Sequence, residues 1–137
     1  MISKQYLAGF IDGEGYISLI THKDIRTKRG YTLDVRFQID NTNKLILERI
    51  QELIGGTIGL KSKSTDKWKE VYRLELKDLN RIEKVVKQIL PYIFIKKEQC
   101  KLIIDYCRAR KNNINKGYSN KELEIVQLFK KLNKRGV

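Results

Sequence analysis

Histidine, proline, methionine and tryptophan occur once each in the 137 residues, and cysteine twice. With only His22, Cys100 and Cys107 available, the chain lacks the four ligands that a structural zinc site takes. Cys100 and Cys107 stand seven residues apart with Ile103 and Ile104 between them, a spacing that sets both on one apolar helix face. We therefore expect buried free thiols, and with them a reducing, intracellular setting such as a bacterial or archaeal cytoplasm or an organelle. No apolar run approaches the ~20 residues that span a bilayer. The opening stretch is amphipathic with acidic residues, unlike a signal peptide, so no membrane partner is expected. One proline and no low-complexity linker leave no boundary, and 1–137 reads as a single domain.

Acids are scarce as well. Lysine and arginine number 29 against 16 for aspartate and glutamate, a formal charge of +13. Such a charge opposes compaction by self-repulsion and favours a polyanionic partner, DNA or RNA. Hydrophobic residues still make up 41% of the chain, enough for a continuous core.

Along the chain, Ser3 to Asp12 reads as a short apolar helix ending at Gly13 and Gly15. A strand follows at about Tyr16–His22, then a basic turn, Lys23–Gly30. In the next strand Tyr31, Leu33, Val35, Phe37 and Ile39 alternate with Thr32, Asp34, Arg36, Gln38 and Asp40, so one face is apolar and the other hydrogen-bonding. Asn43 can cap a helix with Ile46, Leu47, Ile50, Leu53 and Ile54 on one stripe, stopped by Gly55-Gly56. Strands are predicted at about Thr57–Lys63 and Lys69–Lys77. Asp78 can cap a further helix that ends at Pro91. Another helix spans about Lys96–Arg110, and a last one opens with a capping box of Ser119 and Glu122. The order helix, strand, strand occurs twice, αββαββα in outline, an α+β arrangement with helices over one face of an antiparallel sheet.

Residues Leu7 to Gly15 read LAGFIDGEG. Ala8, Gly9 and Gly13 are small enough for a second helix to approach closely, and interior glycines cost a helix roughly 0.5–1 kcal/mol each. A short core helix with a glycine cap is the plainer reading of the same residues. Glu14 stands where the helix macrodipole and free carbonyls already make the potential negative, a place that favours a cation.

This stretch resembles the signature of the LAGLIDADG family at Leu7, Ala8, Gly9, Ile11, Asp12 and Gly15, and at Glu14 if the acidic exchange is counted. Phe10 and Gly13 depart from it. The downstream order of elements is also similar to the family's. The resemblance implies an αββαββα homing-endonuclease fold with a saddle-like sheet and the motif helix at a dimer interface, there Leu7, Ala8, Gly9, Phe10, Ile11 and Asp12. It implies an intron-type homing endonuclease that hydrolyses a phosphodiester in each strand of double-stranded DNA, with Mg²⁺ as cofactor (Mn²⁺ or Ca²⁺ able to take its place) and no organic cofactor. Glu14 is then the metal ligand and catalytic acid, with the Gly13 carbonyl assisting, while Asp12 is mainly structural. A lysine and a polar residue that organise solvent are best matched by Lys96, with Lys97 a rival, and by Asn41, with Asp40 and Gln38 nearby. One motif in 137 residues implies a homodimer, and hence a long pseudo-palindromic target.

The polar rows are the candidate DNA face: Ser18, Ile20, His22, Thr32, Asp34, Arg36 and Gln38 from the first two strands, and Lys61, Lys63, Lys69 and Arg73 from the second pair. Arginine and glutamine can read base edges in the major groove. Lys23, Arg26, Lys28, Arg29 and Lys67 in the loops suit phosphate contacts. Trp68 is expected to pack on the core. Two other readings remain: an RNA maturase assisting intron splicing, and a non-enzymatic DNA-binding regulator on the same scaffold.

Overall fold

The computed structural model describes residues 2–113 and 116–134. Helix α1 (Lys4–Glu14) leads into strands β1 (Gly15–Lys23) and β2 (Tyr31–Asn41). Helix α2 (Lys44–Ile54) follows, then β3 (Thr57–Ser62) and β4 (Val71–Leu76). Helix α3 (Leu79–Ile89), a 3₁₀ turn at Leu90–Tyr92, α4 (Lys97–Asn112) and α5 (Asn120–Lys134) complete the fold. The strands form one antiparallel sheet in the order β1-β2-β4-β3. This is the expected α+β arrangement.

The helix starts follow from side chains that satisfy otherwise orphaned amides. Ser3 accepts from Tyr6 N, Asn43 from Ile46 N and Asp78 from Asn80 N. At the last helix Ser119 and Glu122 exchange bonds as a capping box. The alternation in β2 buries Leu33, Phe37 and Ile39 with Ile17 and Leu19 of β1 and Leu74 and Leu76 of β4. Against the sheet lie α1, α2 (Leu47, Ile50, Ile54), α4 and α5, while the stripe of α3 (Ile82, Val85, Val86, Ile89) packs mainly on α1 and α4. Each such side chain contributes about 1.5–3 kcal/mol when fully buried. Cys100 and Cys107 are buried and free, and desolvation pushes their thiols up to about 12 and about 11.

Several sequence expectations shift. Helix α1 continues through Gly13 to Glu14 instead of stopping at Asp12. The strands β3 and β4 are shorter than expected, β3 ending at Ser62 and β4 starting at Val71, and the register slips between Leu60 and Ser62. Lys63 and Lys69 therefore lie in the connecting loop and not on the strand rows. Helix α4 begins at Lys97, with Lys96 at its cap position.

Two polar clusters fasten the helices. The buried Glu83 carboxylate of α3 gathers Lys87 at 3.2 Å, Arg108 at 3.9 Å and Lys111, and the hydrogen bond from Lys111 is the main cause holding it below the usual carboxylate range. Beyond the reach of β4, the Leu33 amide of β2 donates to the Tyr118 hydroxyl at 2.9 Å, which protects an otherwise open strand edge. The Tyr118 ring stacks on Tyr31 and carries the guanidinium groups of Arg29 at 4.4 Å and Arg110 at 5.0 Å.

Candidate active site and nucleic-acid face

Helix α1 has two faces with opposite duties. Its inner face, Leu7, Ala8, Ile11 and Asp12, is buried in the chain's own core. Asp12 reaches the start of α4: its carboxylate accepts from the backbone N–H of Phe94 at 2.7 Å, of Ile95 at 3.2 Å and of Lys96 at 3.0 Å. The residue at the α4 cap position makes no side-chain cap of its own; Asp12 instead holds the three successive amides of the turn that leads into the helix. In return the Lys96 ammonium donates to the Asp12 carbonyl at 2.5 Å. Lys96 is thus anchored on the last turn of α1, whereas Lys97 is exposed in the first turn of α4.

The outer face carries Tyr6, Gly9, Phe10 and Gly13, ending in the exposed Glu14. A methyl group added at Gly9 or Gly13 would meet nothing within 4 Å, so nothing within this chain requires glycine at either position. Of the six residues assigned to a dimer face, only Gly9 and Phe10 present themselves outward. Leu7, Ala8, Ile11 and Asp12 are already covered, since a helix surrounded on one side by its own fold can offer only the opposite side. Gly15 has a different reason to be glycine: a Cβ there would lie 2.8 Å from the Ile11 carbonyl oxygen, at the abrupt change from helix to strand.

The register pairs Gly15 with Ile39 and Tyr16 with Gln38, and pairs Asp40 with Arg73. Asn41 falls in the opposite, inward row with Phe37 and Ile39, and its Oδ1 accepts from Asn43 N at 2.8 Å to turn the chain into α2. The structure thus sets Asn41 off the open face on which a solvent-organising residue was expected. Gln38 and Asp40 share the open row of the sheet with Tyr16, an exposed ring that the sequence reading passed over. Gln38 Nε2 donates to Glu75 at 2.7 Å. Asp40 takes a two-point bond from Arg73 at 2.8 and 3.1 Å and an ion pair from Lys61 at 2.8 Å. Burial raises the Asp40 carboxyl, but these cations outweigh it and hold it below the usual range.

The rest of the open face is more internally paired than the sequence suggests. Ser18 is fully buried, so it is withdrawn from the set that can touch a ligand directly. Arg36 lies 3.8 Å from both Asp34 and Glu75. Ile20, His22 and Thr32 occupy the same row toward the distal end. In the loop beyond, Arg26 is held in a fork by Asp24, and Arg29 donates to the Tyr31 carbonyl while covering Tyr118. These two arginines shape the loop while staying exposed, and Lys23 and Lys28 are exposed beside them. Lys63, Lys67 and Lys69 are exposed in the 63–70 loop.

Several exposed apolar side chains went unrecognised, Ile25 among them at 97%. Trp68 is 73% exposed instead of packed, and Phe94 and Ile95 are 88% and 65% exposed beside α1. The run from Tyr92 to Ile95 has no periodicity to signal which way its side chains point. Among the described residues no group of three or more His, Cys, Asp or Glu gathers within one chain. Glu14 and the last-turn carbonyls of α1 are nonetheless hard oxygen donors of the kind that Mg²⁺ takes.

A family model described as LAGLIDADG endonuclease matches residues 7–107. A search of curated proteins finds no match. Among solved structures, the fold is similar to the homing endonuclease I-CvuI in complex with the I-CreI target, at 22% identity over 96% of this chain and 80% of that one, with a TM-score of 0.76. It is similar to the archaeal intron-encoded homing endonuclease I-Vdi141I complexed with DNA, at 20% identity over 96% of each chain and a TM-score of 0.68. It also matches the meganuclease I-SmaMI bound to uncleavable DNA, at 18% identity over 95% of this chain but 44% of that one, with a TM-score of 0.76.

Proposed function

Because this chain belongs to the LAGLIDADG endonuclease family, we propose that it cuts both strands of duplex DNA at a specific, pseudo-palindromic site, as a homodimer that requires a divalent ion. The observation that carries this reading is the division of α1. Its inner face is locked to α4 through Asp12, and its outer face offers two glycines that its own fold does not need, ending in an exposed acid. A second copy docking glycine face to glycine face brings the two Glu14 carboxylates together, and the apolar Phe94 and Ile95 beside that seam extend it. The DNA complexes of the similar folds support the substrate class, and the structures of I-CvuI with Mg and with Ca support the choice of ion.

Glu14 from each copy, with the Gly13 carbonyl, would hold the ion, and an ion bound there supplies Lewis-acid stabilisation of the charge that develops on the scissile phosphate. Lys96, fixed by the Asp12 carbonyl, keeps a positive charge against the end of α1, where an anionic phosphodiester is to be oriented. Gln38 is the polar residue we assign to solvent in place of Asn41. Its side chain is largely covered, and with its amide nitrogen committed to Glu75 its oxygen remains to accept a hydrogen bond from water. Arg36, His22 and Thr32 present the open sheet to the groove, while Lys23, Lys28 and Lys67 meet phosphates.

Purified protein incubated with a randomised duplex library and Mg²⁺ is expected to yield double-strand breaks clustered at one related set of sequences. Binding of structured RNA without any cutting of duplex would replace this reading with the splicing one. The dimer has its own test. Gly9→Leu adds bulk only where this chain leaves open space, so the monomer fold is expected to survive. The dimer dissociation constant should rise by roughly 100-fold or more, as read by sedimentation, and two-strand cutting should fall with it.

A further inference from the structure

Trp68 is the only tryptophan in the chain, and it is set out in solvent, 73% exposed, on the loop joining β3 and β4. An indole in that position forgoes burial that ordinarily stabilises a fold. The loop is nonetheless closed and shaped. Thr65 N donates to the Trp68 carbonyl at 2.8 Å, and the Thr65 hydroxyl accepts from Lys67 N at 3.3 Å and Trp68 N at 3.1 Å. Both backbone polar groups of Trp68 are thus committed, so the turn fixes where its side chain departs.

The surroundings identify what the ring would meet. Lys63, Lys67 and Lys69 are exposed around it, and they outnumber the loop's two acids, Asp66, which is exposed, and Glu70, which is occupied by the Tyr72 hydroxyl at 2.6 Å. The register sets this hairpin at a particular end of the sheet: Tyr72 pairs with Asn41, two residues beyond Ile39, which pairs with Gly15 at the foot of α1. The loop therefore projects from the end of the sheet that carries the candidate active site. A rigid ring with one N–H donor, set among cations, suits the sugar–phosphate edge of a polyanion: the face packs on deoxyribose and the N–H meets a phosphate oxygen.

We propose that Trp68 is a DNA-contacting residue that clamps the backbone of the bound duplex beside the cleavage centre, within lysines that neutralise the phosphates around it. This rests on the reading of the protein as a DNA-binding endonuclease and adds a residue that its motif does not contain.

The test uses the full-length protein, a fluorescently labelled mixed-sequence duplex, and EDTA to prevent cutting. Because Trp68 is the sole tryptophan, its emission reports this loop alone. On binding, followed independently by anisotropy of the label, the emission is expected to be quenched and blue-shifted in step with occupancy. Trp68→Ala should weaken binding by roughly 10-fold with the salt dependence unchanged, and Trp68→Phe should restore most of the loss. Lys67→Ala should instead lower the salt slope by about one. A circular-dichroism melt like that of the wild type shows that the exposed position leaves the fold intact. Binding without change in emission, together with Trp68→Ala affinity within twofold of wild type, would overturn the clamp and leave the endonuclease reading standing. No binding to any duplex would overturn both.

Discussion

Glu14→Gln is expected to abolish DNA cutting, by roughly 10³-fold or more, while duplex affinity in EDTA stays within a few-fold of wild type. The substitution keeps the size and hydrogen-bonding reach of the side chain and removes only the charge. In the proposed dimer that removes both carboxylates from the seam at once, because each copy carries the change. A loss of 10³ corresponds to about 4 kcal/mol of transition-state stabilisation, within the range expected when the charge that holds a catalytic ion is withdrawn. Stability should not fall, because Glu14 is exposed at the negative end of α1, where a neutral side chain is more comfortable than an anion. Cleavage assays on the selected target, with chelator controls for the wild type, decide the matter. A Glu14→Gln protein that still cuts at the wild-type rate would remove Glu14 from the chemistry.

The neighbouring acid should behave in the opposite manner. Asp12→Ala takes a carboxylate away from three backbone amides, those of Phe94, Ile95 and Lys96, and strands them in the partly buried turn that leads into α4. Charge-assisted bonds of this kind, left unmade, make a loss of about 3 kcal/mol or more reasonable. For a domain of this size that lowers the melting temperature by about 10 °C. Asp12→Asn keeps an accepting oxygen and should fall between. Cutting should also drop in both variants, because the Lys96 amide loses the carboxylate that fixes its backbone, although its ammonium keeps the main-chain carbonyl of residue 12. Thermal unfolding by circular dichroism measures the first effect, and an unchanged melting temperature for Asp12→Ala would refute its role in holding the turn before α4. The two acids stand two residues apart, about 200° around a helix. One therefore faces the core and the other faces out, and similar chemistry is divided between holding the fold and acting on a ligand.

That division marks how far reading along the chain could go. The LAGFIDGEG stretch, the caps at Asn43 and Asp78, the Ser119–Glu122 box, the buried thiols and the alternating strand were all legible, because each depends on residues within a turn or two of one another. The same alternation sets Asn41 on the apolar row of β2, and the pairing of Gly15 with Ile39 fixes that row on the inward face, since a shift of one residue exchanges the faces of a strand. Arg26 and Arg29 read as free cations, yet Asp24 and Tyr118 hold them, the latter from the segment between α4 and α5.

What the order of amino acids determined by itself is the succession of helices and strands, their caps, and the family signature with its exposed acid. Hydrophobic period and local hydrogen bonding act over a few residues and need no partner from elsewhere. What the tertiary structure alone decided is direction: which side of α1 is spent on the core, that Asp12 seeks amides more than 80 residues away, and that Phe94, Ile95 and Trp68 stand in solvent. Such choices depend on which polar groups and apolar surfaces meet once the chain has closed, and that competition is settled between distant segments.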